Sequence, residues 1–361
     1  MASWSLIIAK RKAFSSRRSN KEAQIAQRIT EGDIGLNAVR AAARLCEAVR
    51  GEMVVGDGAG KLDKGDGSPV TVADFGAQAL VCRCIAETFP DDVIVAEEDS
   101  GALRDSANAG ALSGVTRFVG MQMGAVDAGQ VCAWIDRGMG EPGERYWVLD
   151  PIDGTKGFLR NDQFAVALAL VEGGVVQWGF LACPVLPYDG GRGLVFIAQR
   201  GAGAHAVSLD REALGPVRVS DVAGPARARL VESVESAHTN RGLAAQLQES
   251  LGITAEPVRM DSQAKYAAVA RGQAEIYLRS PNLRTPDYRE NIWDHAAGAI
   301  VIEEAGGTVT DVYGRSLNWT RGRRLEDSVG VVATNGHLHD AVITALAALL
   351  PPLPLPPCPS G

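Results

Sequence analysis

Two aspartates three residues apart, Asp150 and Asp153, close an apolar run and are followed at once by Gly154 and Thr155, in the stretch VLDPIDGTKGFLR (148–160). Like charges so close repel. A bound divalent cation offsets the repulsion, because hard Mg2+ prefers carboxylate, carbonyl and water oxygens. Gly154 lets the backbone approach a ligand without a Cβ. Thr155 offers a hydroxyl and an N–H, and a helix starting there would present free N–H groups suited to a phosphate. Asp-Gly is also a common turn pair. D-x-x-D-G-T alone therefore reads equally as an acidic surface turn.

Other acids stand at the ends of expected elements. SPVTVAD (68–74) ends on Asp74, just where helical spacing begins through Ala77, Leu80, Val81, Cys84 and Ile85; that helix should end near Pro90. An Asp at a helix start is commonly a cap, and it can also face a ligand. Val93–Ala96 reads as a short strand that delivers Glu97, Glu98 and Asp99. Three acids there make either a solvated turn or metal ligands at a strand's carboxyl end. A fourth station is Asp294, in IWDHAAG (292–298). Gly60-Lys61 is no P-loop, since position 55 is Val and Leu62 follows the Lys.

The elements that must position these acids follow from periodicity. Leu36, Val39, Ala43, Cys46 and Val49 recur at helical spacing. Gly51–Gly67 reads as a mobile loop or hairpin. The Gly- and Ala-rich 101–143 stretch reads as a variable surface insertion with one helix near 128–137. Phe164–Val171 and Val175–Cys183, joined by Glu-Gly-Gly, form a hairpin signal. Leu194–Ala198 and Ala204–Val207 read as a further strand pair, so this half should be a mostly antiparallel sheet. Gly and Pro loosen the chain at 210–228. Strands at 230–234, 258–260, 274–278, 308–311 and 329–333 then alternate with helices at 240–251, 262–271, 294–305 and 337–349, an α/β pattern.

The whole chain has 361 residues, 46% of them hydrophobic, and a net charge of −7. That is enough for a large core. The charge argues against a general nucleic-acid surface, and no run of about 18 apolar residues suggests a membrane span. Six cysteines lack zinc spacing and read as free thiols of a reducing compartment. Residues 1–21 hold six cations and no acid. They read either as a transit segment, for chloroplast or mitochondrion, or as a basic leader of a cytoplasmic protein.

Six motifs in order, SPVTVAD (68–74), AEED (96–99), DPIDGTKGFLR (150–160), DSQAKY (261–266), EIYLR (275–279) and IWDHAAG (292–298), resemble the magnesium-dependent, lithium-sensitive phosphatases of the inositol monophosphatase superfamily. The resemblance covers 31–349. KGFLR after the DGT is the mark of the 3′(2′),5′-bisphosphate nucleotidase subgroup. The fold this implies is a sugar-phosphatase-like layered αβαβα sandwich. It has an α+β half at 31–225 with the metal site and an α/β half at 226–349 with the nucleotide contacts. A leader (1–30) and a Pro-rich tail (350–361) flank it. The resemblance further implies that Glu97, Asp150, Ile152 through its carbonyl, Asp153 and Asp294 hold two or three Mg2+ ions. Asp74 and Thr155 would activate the attacking water, and Gly154 and Thr155 N–H groups would bind the scissile phosphate. His238, Ser262, Lys265 and Arg279 would contact a nucleotide bisphosphate, in a monomer with no nucleic-acid or membrane partner.

Without the resemblance, His238 reads as a surface or core histidine, Lys265 as a solvated helix residue and Arg279 as an edge residue or ion-pair partner. Phe75, where Tyr is frequent, and the 101–143 stretch depart from the family pattern. Inositol polyphosphate 1-phosphatase or inositol monophosphatase activity is the alternative among enzymes. A nucleotide-binding sensor is the alternative outside them.

Overall fold

A computed structural model describes residues 30–52, 61–63, 69–210, 212–234, 241–281, 285 and 287–352. The basic leader, His238 and the Pro-rich tail beyond 352 lie outside the described residues.

Helix α1 occupies 30–52. Strands β1 (Lys61–Asp63) and β2 (Pro69–Thr71) pair antiparallel as a hairpin. Helix α2 (Val72–Thr88) follows directly and feeds β3 (Val93–Ala96). After helices α3 (Ala109–Met123) and α4 (Ala128–Asp136), β4 (Arg145–Asp153) runs beside β3 in parallel. The short helix α5 (Thr155–Leu159) then leads into an antiparallel meander. Its strands are β5 (Ala165–Glu172), β6 (Val175–Tyr188), β7 (Gly191–Gln199), β8 (Gly203–Ser208) and β9 (Ala213–Val217). Together β3 to β9 make one seven-stranded sheet in chain order.

The second sheet starts at β10 (Leu230–Glu232). It continues through α6 (Arg241–Leu251), β11 (Val258–Arg259), α7 (Ala264–Ala270) and β12 (Ile276–Arg279). Helix α8 (Ala296–Glu304), β13 (Thr308–Thr310), β14 (Val331–Thr334) and α9 (His339–Leu349) complete it. The strand order is β11-β10-β12-β14-β13, parallel among the first three and antiparallel thereafter.

Strand alternation sorts side chains into layers. On β5, Val166, Leu168 and Leu170 face the cluster built with α1 to α4, while Ala165, Ala167 and Ala169 face the cluster built with α7 and α8. On β12, Tyr277 faces α7 and α8, while Ile276 and Leu278 face α6 and α9. The order of layers is thus helix, sheet, helix, sheet, helix. Helices α7 and α8 lie between two sheets and are buried on all sides, which explains why their sequences show no polar stripe.

Small residues let the middle layer approach closely. A Cβ at Gly179 of β6 would stand 2.3 Å from Ile300 Cγ2 and 2.9 Å from the Ala297 carbonyl oxygen. Gly179→Val is expected to cost about 1–3 kcal/mol by overpacking, seen as a lower melting temperature; an unchanged melt would show that α8 can move away.

The 101–143 stretch is not a surface insertion. Ala111, Val115, Phe118 and Val119 of α3, together with Val131 and Ile135 of α4, are buried in the core cluster that also holds α1 and α2. Their helical spacing was present in the sequence. The surrounding Gly and Ser, and a helix start with no side-chain cap at Asn108, masked it.

Candidate active site

Strands β3 and β4, the start of α2, the approaches to α7 and α8 and the end of β12 all open on one cleft. Asp74, Glu97, Asp153, Gly154, Thr155, Ser262, Lys265, Arg279 and Asp294 line it. Asp150 lies beneath, 1% exposed.

A separation of three residues on a regular strand would send Asp150 and Asp153 to opposite faces. The ladder with β5 is irregular at just this point: Asp150 pairs with Ala167 and Asp153 with Ala165. Pro151, which has no N–H to give a ladder, sits inside that shift. The irregularity re-aims the side chains, as bulges near sites commonly do. Carboxylate oxygens of Asp150, Asp153 and Asp294 come within 4.8 Å of one another.

The turn after β4 is held from the other sheet. Gly154 is left-handed at φ 87°, and so is Ser262 at φ 64°. A Cβ on Gly154 would stand 2.8 Å from the Ser262 Cβ, so only glycine fits there. Gln263 N–H donates to Asp153 Oδ2 at 2.5 Å, and Ser262 Oγ accepts the Ala264 N–H at 3.1 Å. Arg160 donates to Asp261, whose other oxygen accepts the Val234 N–H at 3.1 Å. Thr155 Oγ1 donates to the Ile152 carbonyl at 3.3 Å.

The convergence of the acids raises the cost of ionising them. The Asp150 carboxyl is pushed well above the usual range by burial, then by Glu97, Asp153, Asp294 and Asp74. Burial also raises Asp153, while Lys265, the Gln263 N–H, Arg279 and His295 pull it back. Burial first, and Asp153 next, push Asp294 to about 6; His295 and Arg279 oppose them.

The same cleft also carries cations. Lys265 is 7% exposed, far from the solvated helix residue its neighbours suggested. Burial lowers its ammonium to about 8, with Asp153 pulling the other way. Arg279 both lines the cleft and pairs with Glu290, Nε to Oε1 at 3.0 Å. Against the effect of burial, His295, whose Nε2 lies 3.5 Å from Glu290 Oε2, and then Arg279 hold the Glu290 carboxyl down at about 2. Tyr266 Oη and His295 Nδ1 share a hydrogen bond of 2.6 Å. Asn291 donates to Asp294 Oδ2 at 3.3 Å. Asp261, Gln263 and His295 lie within motifs read from the sequence, but the sequence assigned them no part. Glu290 and Asn291 lie outside those motifs.

The residues fit a hard cation. Asp150 Oδ1 is buried and meets no hydrogen-bond donor among the described residues. Four further acids act on that carboxyl, and the donors at hand are oxygens.

The raised Asp294 has a thermodynamic consequence. An unfolded Asp titrates near 3.9. Between that value and about 6 the metal-free fold binds more protons than the unfolded chain, so stability falls as pH rises through the window. Glu290, lowered to about 2, acts in the opposite sense and only below its ordinary value of 4.5. Asp294→Asn should therefore raise the metal-free melting temperature more at pH 6.5 than at pH 4.5; thermal melts in EDTA at both values check this, and an equal gain at both would contradict it.

A sequence profile of the inositol monophosphatase family matches residues 26–350. A 3′(2′),5′-bisphosphate nucleotidase of Oryza sativa is 43% identical over 334 residues, covering 86% of this chain and 91% of the relative. One from Schizosaccharomyces pombe is 41% identical, covering 88% and 95%. Among solved structures, an IMPase of Thermotoga maritima superposes with a TM-score of 0.60 at 24% identity, covering 88% of this chain and 96% of that one. The layered α+β architecture is that of these proteins. Profile, sequence and fold agree, and this chain belongs to the inositol monophosphatase family.

Proposed function

We propose that this chain is a 3′(2′),5′-bisphosphate nucleotidase that removes the 3′-phosphate of 3′-phosphoadenosine 5′-phosphate, leaving AMP and phosphate, with Mg2+ as cofactor. One observation carries the reading: a single cleft is lined by Asp74, Glu97, Asp153 and Asp294 and also by Lys265 and Arg279. Such a cleft suits a ligand with two phosphates at different distances, one reacting and one remote. The nucleotidases of rice and fission yeast, at 43% and 41% identity, support the same substrate.

Glu97, Asp150, Asp153, Asp294 and the Ile152 carbonyl would hold two or three ions. When bound, the ions offset phosphate charge and make a water more acidic. The chain's own residues do the rest. Thr155 Oγ1 donates its hydrogen bond to the Ile152 carbonyl, which leaves its lone pairs to accept a water O–H and fix that water's direction. Asp74, buried at the start of α2, takes the water's proton. The water oxygen bonds to phosphorus as the bond from phosphorus to the 3′-oxygen breaks, and the 3′-oxygen is protonated from solvent. Backbone N–H groups of Gly154 and Thr155 hold the departing phosphate. Lys265 holds the remote phosphate as a point charge and Arg279 holds it with a planar fork. Ser262 lies beside them, and His238 is assigned a nucleotide contact from sequence alone.

The test is phosphate release from 3′-phosphoadenosine 5′-phosphate and from inositol 1,4-bisphosphate, in parallel, with Mg2+, with EDTA and with added Li+. The nucleotide should be strongly preferred, with activity lost in EDTA and suppressed by Li+. Preference for the inositol ester would keep the carboxylate roles and overturn those of His238, Ser262, Lys265 and Arg279. Hydrolysis of neither would favour a nucleotide-binding sensor.

A further inference from the structure

Two carboxylates of the cleft, Glu97 and Asp294, come from different parts of the fold. Glu97 follows the end of β3, an edge strand of the first sheet. Asp294 sits on the segment between β12 of the second sheet and α8. No motif in the sequence links them. The structure does so through the side chain of Arg323, in the long connection between β13 and β14.

Arg323 is half-buried and reaches both sides. Its guanidinium donates through Nη1 to the Gly140 carbonyl at 3.0 Å and through Nη2 to the Ala96 carbonyl. Gly140 is itself laced to β3, its N–H donating to the Ile94 carbonyl at 3.0 Å. A Cβ at Gly140 would stand 2.6 Å from that oxygen, so the close approach needs glycine. On the other side, the Arg323 guanidinium carbon lies 5.0 Å from the Trp293 ring centroid. The Arg323 carbonyl accepts the Ile292 N–H at 3.1 Å. Arg323 therefore touches the residue directly before Glu97 and the residue directly before Asp294.

We propose that Arg323 is a positioning residue of the metal centre, which sets the distance between Glu97 and Asp294 without touching ion or substrate. The inference rests on the metal reading of the carboxylates. Its physical basis is that metal ligands must be held by the groups behind them, and loss of such support typically costs about 10–100-fold in metal affinity. A planar fork with two bonded carbonyls and a ring face fixes both arms at once. Lysine could satisfy one carbonyl and would lose the fork geometry. Methionine would keep apolar contact with Trp293 and lose both donors.

The experiment measures Mn2+ binding to the full chain by calorimetry, with no substrate, for the parent, Arg323→Met, Arg323→Lys, Arg321→Ala and Asp150→Asn. Arg321 is a suitable neighbour control because it is exposed and, among the described residues, makes a loose 3.6 Å pair with Asp327. Arg323→Met should weaken Mn2+ binding by about tenfold or more, Arg323→Lys by less, and Arg321→Ala not at all. Melting temperature is read alongside in EDTA. A lower melt with unchanged Mn2+ affinity would overturn the proposal and leave Arg323 as a fold-stabilising residue only. If Arg323→Met does not fold, Arg323→Lys decides, since a parent-like Mn2+ affinity there overturns the proposal. If Asp150→Asn binds Mn2+ as the parent does, the metal reading itself falls and the proposal with it.

Discussion

Asp150→Asn should remove more than about 10³-fold of kcat/KM, beyond the 10²–10³-fold typical of one preorganised electrostatic contact. The same change should make the metal-free protein melt higher. Asp150 is buried, with Glu97, Asp153, Asp294 and Asp74 all opposing its ionisation. Its Oδ1 finds no donor among the described residues. An amide of the same shape removes a charge that the metal-free fold must carry at a cost. With Mg2+ present the order should reverse. The parent gains about 2.7 kcal/mol at an ion concentration 100 times the dissociation constant, and the variant forfeits most of it. Thermal melts with and without Mg2+, together with turnover, give three readings on one substitution. Retained turnover would refute the metal assignment. A variant that melts lower under both conditions would refute the repulsion argument.

Arg279→Lys should raise KM for the bisphosphate by about 10–100-fold, because charge-assisted hydrogen bonds are worth about 1.5–3 kcal/mol each. Turnover of a simple monophosphate ester should stay near that of the parent. Lysine keeps a cation beside Glu290 and gives up the fork. Arg279→Ala is a harsher change. It strips the 3.0 Å partner from Glu290, a carboxylate only 6% exposed. Breaking such a pair costs about 3–5 kcal/mol, so this variant should also melt lower. Steady-state kinetics on both substrates separate the two roles. Equal losses on bisphosphate and monoester in the lysine variant would make Arg279 structural.

Much of this arrangement was legible in the chain because it is carried by short local signals. The apolar run before Asp150 gives β4, and the run before Glu97 gives β3. The residue types at 74, 97, 150, 153 and 294 suggested oxygen ligands, and the structure gathers those residues at one cleft. Distance information was missing. Sequence spacing placed Asp150 and Asp153 on opposite faces of an ideal strand, and only the shifted ladder around Pro151 turns them together. Helix α3 escaped notice because its buried positions are spaced by Gly and Ser rather than by charged residues that would mark the outer face. Arg323 was invisible for another reason. Its carbonyl partners lie far along the chain, 227 positions away in the case of Ala96, and no local pattern encodes such a contact. The functional parts of the cleft remain assignments for the substitutions above to test.

On the proposed function, a cleft lined by both acids and cations has a consequence for the end of the reaction cycle. A bisphosphate that reached from the carboxylates to Lys265 and Arg279 would be a bivalent ligand, held more tightly than either half alone because the second attachment is intramolecular. Cleaving the 3′-phosphate would cut the ligand between its two points of attachment. Inorganic phosphate would then be held at the carboxylates and AMP at Lys265 and Arg279, each with only its own contacts. Loss of this chelation would loosen both products, so that hydrolysis would lower the hold on what it makes.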